Sequence, residues 1–466
     1  MLTAEENEEL CRVGPDTPMG KVLRRYWVPA FQLADLPHPD CPPVKVRVLG
    51  ENFVAFRDTN GQLGFLDELC CHRGASLALG RVEDCGIRCL YHGWKYTVDG
   101  TITETPNLPD SRFKERVKHP AYPVREGGGL GWVYLGPPGT EPEFPRYPFL
   151  DIKPEEAAVG EMILDCNWVQ VQEGSIDSSH IGVLHLDTII SMTPGPRSVG
   201  SKRFEGELWD DSISMPGRGA RAANGGSGQG AAQGDRAGQP ARRRPDGVSD
   251  WDNAPRIQVE NTPFGFHYAA IRNVPDQPDK RYVRVTAFIM PFIAYIPPGS
   301  GPVIVVPRDD QSCSTMIIGR RQPGTDAPRG PMGGIDPAVW GPLPHQRHFH
   351  APAQDREAMA AGKTFAGYRG GNRIQDAAVH LSMGPIYNRA NEHLVPPDVA
   401  VVRFRRLLHE SARLVAEGKD PVGICPGFDT SKIKAESGMI DADGRWQELV
   451  PDNLGPAGVG ADAGAG

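Results

Sequence analysis

Long apolar runs are missing from this chain. No stretch approaches the roughly 18 residues that a membrane-spanning helix needs; the longest candidate, 285–296, holds Thr286 and Pro291 and runs into Pro297-Pro298. The opening MLTAEENEELC is acidic and has no basic stretch followed by an apolar one, so no secretory signal is expected. An excess of positive charge is missing too: 50 Lys and Arg stand against 58 Asp and Glu, a net charge of −8. That balance argues against bulk nucleic-acid binding, and neither nucleic acid nor membrane is expected as a partner. Cysteine is scarce. Nine in 466 residues, an odd number in a long chain, make no disulfide framework. The expectation is a reduced, cytoplasmic protein whose clustered thiols are available as ligands.

What is present suggests two or three domains, from about 150 residues per domain. Thr3 and Glu6 have capping-box spacing, and Gly14 stands where that first helix would stop. From about 44 to 134 the texture is β: VKVRVLG, NFVAFRD, LGFLDE, TITETP and LGWVYLG, each bounded by turn residues. Asn60-Gly61 and Asp99-Gly100 are hairpin signals. A proline-rich stretch from Pro137 to Pro148 reads as an exit linker. These features place an all-β domain with a short leading helix at 1–150 and a second domain at 151–450. In the second, 167–185 reads as largely helical. Residues 217–247 hold almost no apolar side chain and read as a flexible surface insertion, with Arg242-Arg243-Arg244 as part of a solvated loop. Strand texture resumes in RIQVENTPFGFHYAAIR, RYVRVTAFIMPFIAYI and GPVIVVP. The clearest helix is 398–417: Asp398 can cap it, Val401, Phe404, Leu408 and Val415 share a face, and Gly418 follows. Residues 451–466 read as a disordered tail. The fold class is α+β.

The strongest chemical signal is Cys70-Cys71-His72, then, after a spacer, Cys89-Leu90-Tyr91-His92. Two thiolates and two imidazoles suit tetrahedral zinc or a Rieske [2Fe–2S] centre, in which two Cys hold one iron and two His the other. Zinc sites usually pair like with like. Here each arm offers one Cys and one His, which favours two parallel loops clamping a two-iron cluster. Gly74 and Gly93 stand inside the loops, where backbone must come close. Cys71 and Cys85 fit neither arm and read as bystanders.

With these residues the chain resembles the Rieske non-haem iron aromatic-ring-hydroxylating oxygenases. The matching stretches are CCHRGASLALGR and CLYHGWKYTVDG, and the wider texture is similar to the oxygenase components of the phthalate and phenoxybenzoate dioxygenase group. One departure is Cys71, where the family usually has Pro; it leaves the ligands intact and puts a spare thiol beside them. The resemblance extends to the family's D-x2-H-x4-H motif, matched by Asp177, His180 and His185, which implies a mononuclear iron held by two His and a carboxylate. Asp177 and His180 at i, i+3 would share a helical face. His180 and His185 at i, i+5 would lie about 140° apart on an ideal helix. The helix must therefore end or loosen between them, and Gly182 permits that. The family carries its third ligand well downstream, which implies Asp376 in NRIQDAAVHLSMGPI; Asp355, Glu392 and Asp398 compete. His345, His348 and His350 read as a bland loop, and His38, His119, His267, His393 and His409 as ordinary histidines.

By this resemblance a Rieske [2Fe–2S] domain precedes a helix-grip catalytic domain built on an antiparallel sheet. The implied activity is that of a terminal oxygenase component acting on an aromatic substrate, here an aromatic carboxylic acid, with O2. Electrons would come from NAD(P)H through a flavin/iron–sulfur reductase or a ferredoxin, in a head-to-tail homotrimer or a multiple of it. Asp177 would bridge a neighbour's His72 or His92 to His180. Arg256 and Arg272 flank 257–271 and are candidates to hold the substrate carboxylate, against the plainer reading of surface ion pairs. A monooxygenase or O-demethylase of methoxylated aromatics would share every ligand. A Rieske electron-transfer protein without oxygenase activity would not need the second motif or Asp376.

Overall fold

Thr3 and Glu6 close the first helix as their spacing requires. Thr3 Oγ1 accepts from Glu6 N at 3.1 Å and the Glu6 carboxylate accepts from Thr3 N at 2.8 Å, which satisfies two of the N–H groups a helix start leaves orphaned. That helix, Ala4–Cys11, ends before Gly14, with Arg12 in extended conformation. The computed structural model describes residues 2–109, 112–186, 197–199, 202–204, 252–274, 277–297, 301–320 and 347–451. The 217–247 segment, and 452–466 of the tail, lie outside them.

The first helix and the turn after it are tied to the far end of the chain. Asn7 Nδ2 donates to the Tyr387 carbonyl, His409 donates to Glu9, and Tyr26 donates to the Val422 carbonyl. The chain's beginning is thus fastened to its far end. Between them, Val44–Val48, Glu51–Arg57 and Leu63–Asp67 form an antiparallel meander, and Arg81–Glu83, Gly86–Arg88, Lys95–Tyr96 and Ile102–Glu104 a second small sheet. Both hairpin glycines take left-handed backbone, Gly61 at φ 79° and Gly100 at φ 82°. At Gly100 a Cβ would also lie 2.0 Å from the His119 carbonyl oxygen, so no other residue fits. Val54, Phe56, Leu66, Leu77, Ile87, Trp94 and Ile102 fill a separate small core, with Cys70 and Cys89 at its edge.

The second part is built on an antiparallel sheet in the order Ala157–Leu164, Ser312–Arg320, Pro302–Asp309, Ile293–Tyr295, Gln277–Ile289, Gly265–Val274, Arg256–Thr262, with Glu436–Asp441 paired to Gln277–Ile289, and it also holds a separate two-stranded ribbon, Arg197–Val199 with Lys202–Phe204. Alternation divides its faces. Ala269, Ile271, Val283 and Val285 pack on Trp446 and Val450. Phe266 and Phe288 point the other way, where Phe288 meets Phe404 at 5.2 Å and Phe404 meets Trp168 at 5.9 Å between ring centres. The sheet therefore grips the long helix Val399–Ala416 and the helix Trp168–Ile176 on one face. Val401, Phe404 and Leu408 are buried on the long helix, Val415 packs beside them, and Gly418 follows at φ 74°. One detail differs from expectation. The Asp398 side chain does not cap this helix; it accepts from Val395 N at 2.7 Å, within the short turn before it.

Candidate metal centres

The two Cys/His arms adopt the same turn. Gly74 N donates to the Cys70 carbonyl at 2.8 Å and Gly93 N to the Cys89 carbonyl at 3.0 Å. Both glycines have positive φ, 72° and 75°, a geometry that a side chain resists. Repeating one turn sends both sulfurs inward, with Cys70 and Cys89 only 3% and 2% exposed. It leaves His72 and His92 at the tip with ring centres 4.5 Å apart. His72 lies flat on Trp94, 4.4 Å away at 5°, which fixes its ring plane. Tyr96, which sequence reasoning did not single out, places its hydroxyl 2.9 Å from Cys70 Sγ. Burial and the two neighbouring thiols push its pKa far up, so it stays a donor toward sulfur. Cys71 is exposed, 3.6 Å from the same hydroxyl, and Cys85 sits in an exposed turn beside Asn60. Two buried thiols and two outward imidazoles from paired arms fit the donor set of a Cys2His2 two-iron cluster.

The second centre forms where the 167–185 segment breaks. Asn167 caps the helix Trp168–Ile176, accepting from Val169 N. The helix stops at Asp177 because its Oδ1 accepts from both Ser179 N and Ser179 Oγ at 2.6 Å, a local turn that competes with helix continuation. One further turn, Ile181–Leu184, follows, with His180 and His185 at its two ends. The expectation that Asp177 and His180 share a helical face is thus corrected: the break precedes His180 rather than falling at Gly182. Gly182 serves close packing instead, since a Cβ there would lie 2.1 Å from Asn253 Oδ1.

Asp376 comes to this turn from the helix Asn372–Ser382. Its Oδ1 lies 3.5 Å from His180 Nε2 and 3.1 Å from His185 Nε2, and the three ligand atoms fall within 4.8 Å of one another. The outer ring nitrogens are also taken. His180 Nδ1 donates to Asp177 Oδ2 at 3.2 Å, and His185 Nδ1 donates to Gln375 Oε1 at 2.8 Å. Each of these bonds sets the tautomer that turns an Nε2 lone pair toward the common centre. Burial disfavours the Asp376 anion, but His185 and His180 outweigh it and hold the carboxyl far below its usual range. Burial likewise opposes the His180 cation, yet Asp177 and Asp376 keep its pKa above the ordinary value. A carboxylate between two imidazoles, backed by a second carboxylate, fits a divalent metal with positions left open. The Asp376 side chain retains 30% exposure, which leaves that side approachable.

The competing carboxylates are engaged elsewhere. Glu392 is buried against Arg405, Asp398 caps Val395 N, and Asp355 caps Ala358 N. His348 sits 3.6 Å from Asp165, His267 and His119 bond backbone carbonyls, and His345 lies outside the described residues. Of the two arginines proposed for substrate, Arg256 is exposed and pairs across the sheet with Ile271, on the face that packs on Trp446, away from the triad. Arg272 is no surface residue. It is 2% exposed, and it donates to the carbonyls of Ser178 and Asp252, so it braces the loop before His180. Sequence reasoning missed Gln375. The signal available was Gly174 inside a helix, where a Cβ would lie 2.2 Å from His380 Nε2, marking the close approach of the two metal-site helices.

Two centres of this kind on this fold define a class, the Rieske non-haem iron oxygenases, and the chain belongs to it. Residues 26–123 match the Rieske [2Fe-2S] domain, and residues 133–209 and 233–454 match the "LigXa C-terminal domain like" family. The chain is 36% identical to the phthalate 4,5-dioxygenase oxygenase subunit of Pseudomonas putida, covering 96% of this chain and 94% of that one. It is 33% identical to the 3-chlorobenzoate-3,4-dioxygenase oxygenase subunit of Comamonas testosteroni, over 91% and 92%. It is also 30% identical to the 5,5'-dehydrodivanillate O-demethylase oxygenase subunit of a Sphingobium strain, over 91% and 84%. Among solved structures, the QL mutant of Pseudomonas putida CBB5 NdmA with theobromine shares the fold at 18% identity and a TM-score of 0.52, covering 86% of this chain and 93% of that one.

Proposed function

We propose that this chain is the terminal oxygenase component for an aromatic carboxylic acid, and that it works as a ring of subunits fed by a reductase or ferredoxin. The observation that carries the reading is the coexistence of the paired Cys/His arms with the His180–His185–Asp376 cluster. An electron carrier needs only the first. Cys70, His72, Cys89 and His92 would hold the [2Fe–2S] cluster, and His180, His185 and Asp376 the mononuclear iron. When bound, these groups supply single-electron relay and dioxygen activation.

The protein's own part is orientation, tautomer control and access. Asp177 and Gln375 hold the two imidazole protons on Nδ1. Asp177 keeps 25% side-chain exposure, so it can also meet a group from outside the subunit. Beside the cluster residues in the two arms, Leu69, Leu90 and Tyr91 are all more than half exposed, and Tyr91 lies against His92. Large apolar side chains around a redox tip favour a covered surface. The neighbour's Asp177 side in a closed head-to-tail ring provides one, with His72 or His92 reaching that carboxylate. The anionic substrate class is supported by the phthalate and chlorobenzoate relatives.

The test is reconstitution with a surrogate reductase, phthalate and 3-chlorobenzoate, measuring product-coupled O2 uptake with isotopically labelled O2. Two labelled oxygens in the product establish dioxygenation and one establishes monooxygenation; the demethylase alternative is read on a methoxybenzoate, whose aryl oxygen stays unlabelled while its methyl carbon leaves as formaldehyde. Iron analysis that finds cluster iron alone, with no turnover, would leave an electron-transfer protein and overturn the reading.

A further inference from the structure

We propose that Cys71 tunes the cluster: its thiol and the Tyr96 hydroxyl form a two-step hydrogen-bond relay onto the sulfur of Cys70, which favours the reduced state. Spacing alone reads Cys71 as a bystander between the ligands Cys70 and His72. The inference depends on the cluster and not on the substrate class. It begins with the hydroxyl. Tyr96 is fully buried, so water does not reach its oxygen. That oxygen meets two groups among the described residues, Cys70 Sγ at 2.9 Å and Cys71 Sγ at 3.6 Å. The ring that carries it is held in place. His119 packs on it with ring centres 4.8 Å apart. His119 is itself pinned, by its backbone N–H to the Gly100 carbonyl and by Nε2 to the Asp67 carbonyl, each at 2.9 Å. The hydroxyl therefore stays beside the two sulfurs.

Donor and acceptor roles follow from the chemistry. As a ligand to iron, Cys70 is a thiolate, and its sulfur can only accept. The single hydroxyl proton of Tyr96 goes to it, over the shorter distance. The Tyr96 oxygen is then left as an acceptor in a place without water. Among the described residues, the Cys71 S–H is the donor within reach, a weak one taken alone. Hydrogen bonds in series polarise one another, so a proton donated by Cys71 strengthens the bond from Tyr96 to Cys70. Reduction adds negative charge, and the sulfur ligands then accept more strongly. A donor at sulfur thus stabilises the reduced form more than the oxidised one and raises the potential. Cys71 needs no contact with iron for this. It is a positioning residue that acts through Tyr96.

The experiment is film voltammetry of the purified, cluster-loaded protein, with the visible spectrum confirming the loading of every variant. Cooperative strengthening is about 10–30% of a bond. Cys71→Ala should therefore shift the reduction equilibrium against the reduced form by roughly 1.5- to 4-fold. Cys71→Ser keeps a donor and should recover toward wild type. Tyr96→Phe should lower the potential further than Cys71→Ala, and adding Cys71→Ala to it should change nothing more, because the route is gone. An unshifted potential in Cys71→Ala overturns the inference. So does a Ser variant no different from the Ala one, or an equal effect of Cys71→Ala with and without the Tyr96 hydroxyl. If Tyr96→Phe fails to hold the cluster, the contrast between Ala and Ser decides.

Discussion

Gln375→Leu isolates one hydrogen bond at the mononuclear centre. Gln375 is fully buried, His185 is 3% exposed, and the Oε1–Nδ1 bond of 2.8 Å lies between them. Water cannot replace the lost acceptor there. His185 must then either leave a buried N–H unpaired, at about 1–3 kcal/mol, or move its proton to Nε2 and turn an N–H toward Asp376. Either way the metal loses a ligand's lone pair or the energy that kept it free. The expected result is iron binding weaker by roughly 10- to 100-fold, the range for losing such an outer partner. Chelator competition on the mononuclear iron would measure it, with the cluster's visible spectrum as the internal control. Gln375→Glu is the companion, because a carboxylate can only accept. Gln375 Nε2 has no partner among the described residues, so that change sacrifices no donor bond. Near-native iron retention is expected in the Glu variant. Wild-type affinity in the Leu variant, or equal losses in both, would refute the tautomer argument and leave Gln375 as packing.

Asp376→Ala should lose the mononuclear iron while keeping the cluster spectrum; full product formation in that variant would send the search to another carboxylate. Asp177→Asn should slow cluster reoxidation by O2 plus substrate in rapid mixing at matched iron occupancy, and unchanged rates would remove Asp177 from the electron path. His267 gives a pH test. Burial holds its pKa down to about 4 against an ordinary value near 6.5. Between those values the unfolded chain binds the extra proton, so stability falls as pH drops from about 6.5 to about 4, by about 3 kcal/mol for this one group. His267→Gln should flatten that part of a denaturant-midpoint series from pH 7 to 4.5, and an unflattened series would show that other groups govern it.

The parts of the site legible in the sequence were those written locally. Cys70 to Gly74 and Cys89 to Gly93 each close their own turn, so spacing alone marks the arms. Asp177, His180 and His185 are as close in sequence, though the helix break before His180 was misplaced. The misplacement had a readable cause: an Asp followed two residues later by Ser is a turn former. Asp376 was reachable only through family resemblance, since it meets His185 from far along the chain. Gln375 meets His185 across 190 positions, and nothing among its neighbours in sequence sets that bond. The faces of the central strands were equally hidden. Arg256 and Arg272 look equivalent as flanks of 257–271, yet Arg256 faces away from the metal loop and Arg272 toward it.

The loop from Asp177 to His180 explains why its chemistry cannot be altered one function at a time. Asp177 divides its oxygens: Oδ1 holds Ser179 and ends the helix, while Oδ2 holds the His180 proton. Ser178 is fixed from the sheet by Arg272 and Tyr268. In Asp177→Asn one oxygen becomes an amide donor. Pointed at His180, that donor favours the tautomer whose Nε2 carries hydrogen, and so works against the metal. Turned the other way, it confronts the Ser179 N–H and strains the turn that places His180. The variant must therefore weaken iron as well as any bridge to a neighbour. A slow cluster-to-iron step at partial occupancy would prove nothing about bridging. Only a rate measured on the iron-replete fraction separates the path of the electron from the position of its acceptor.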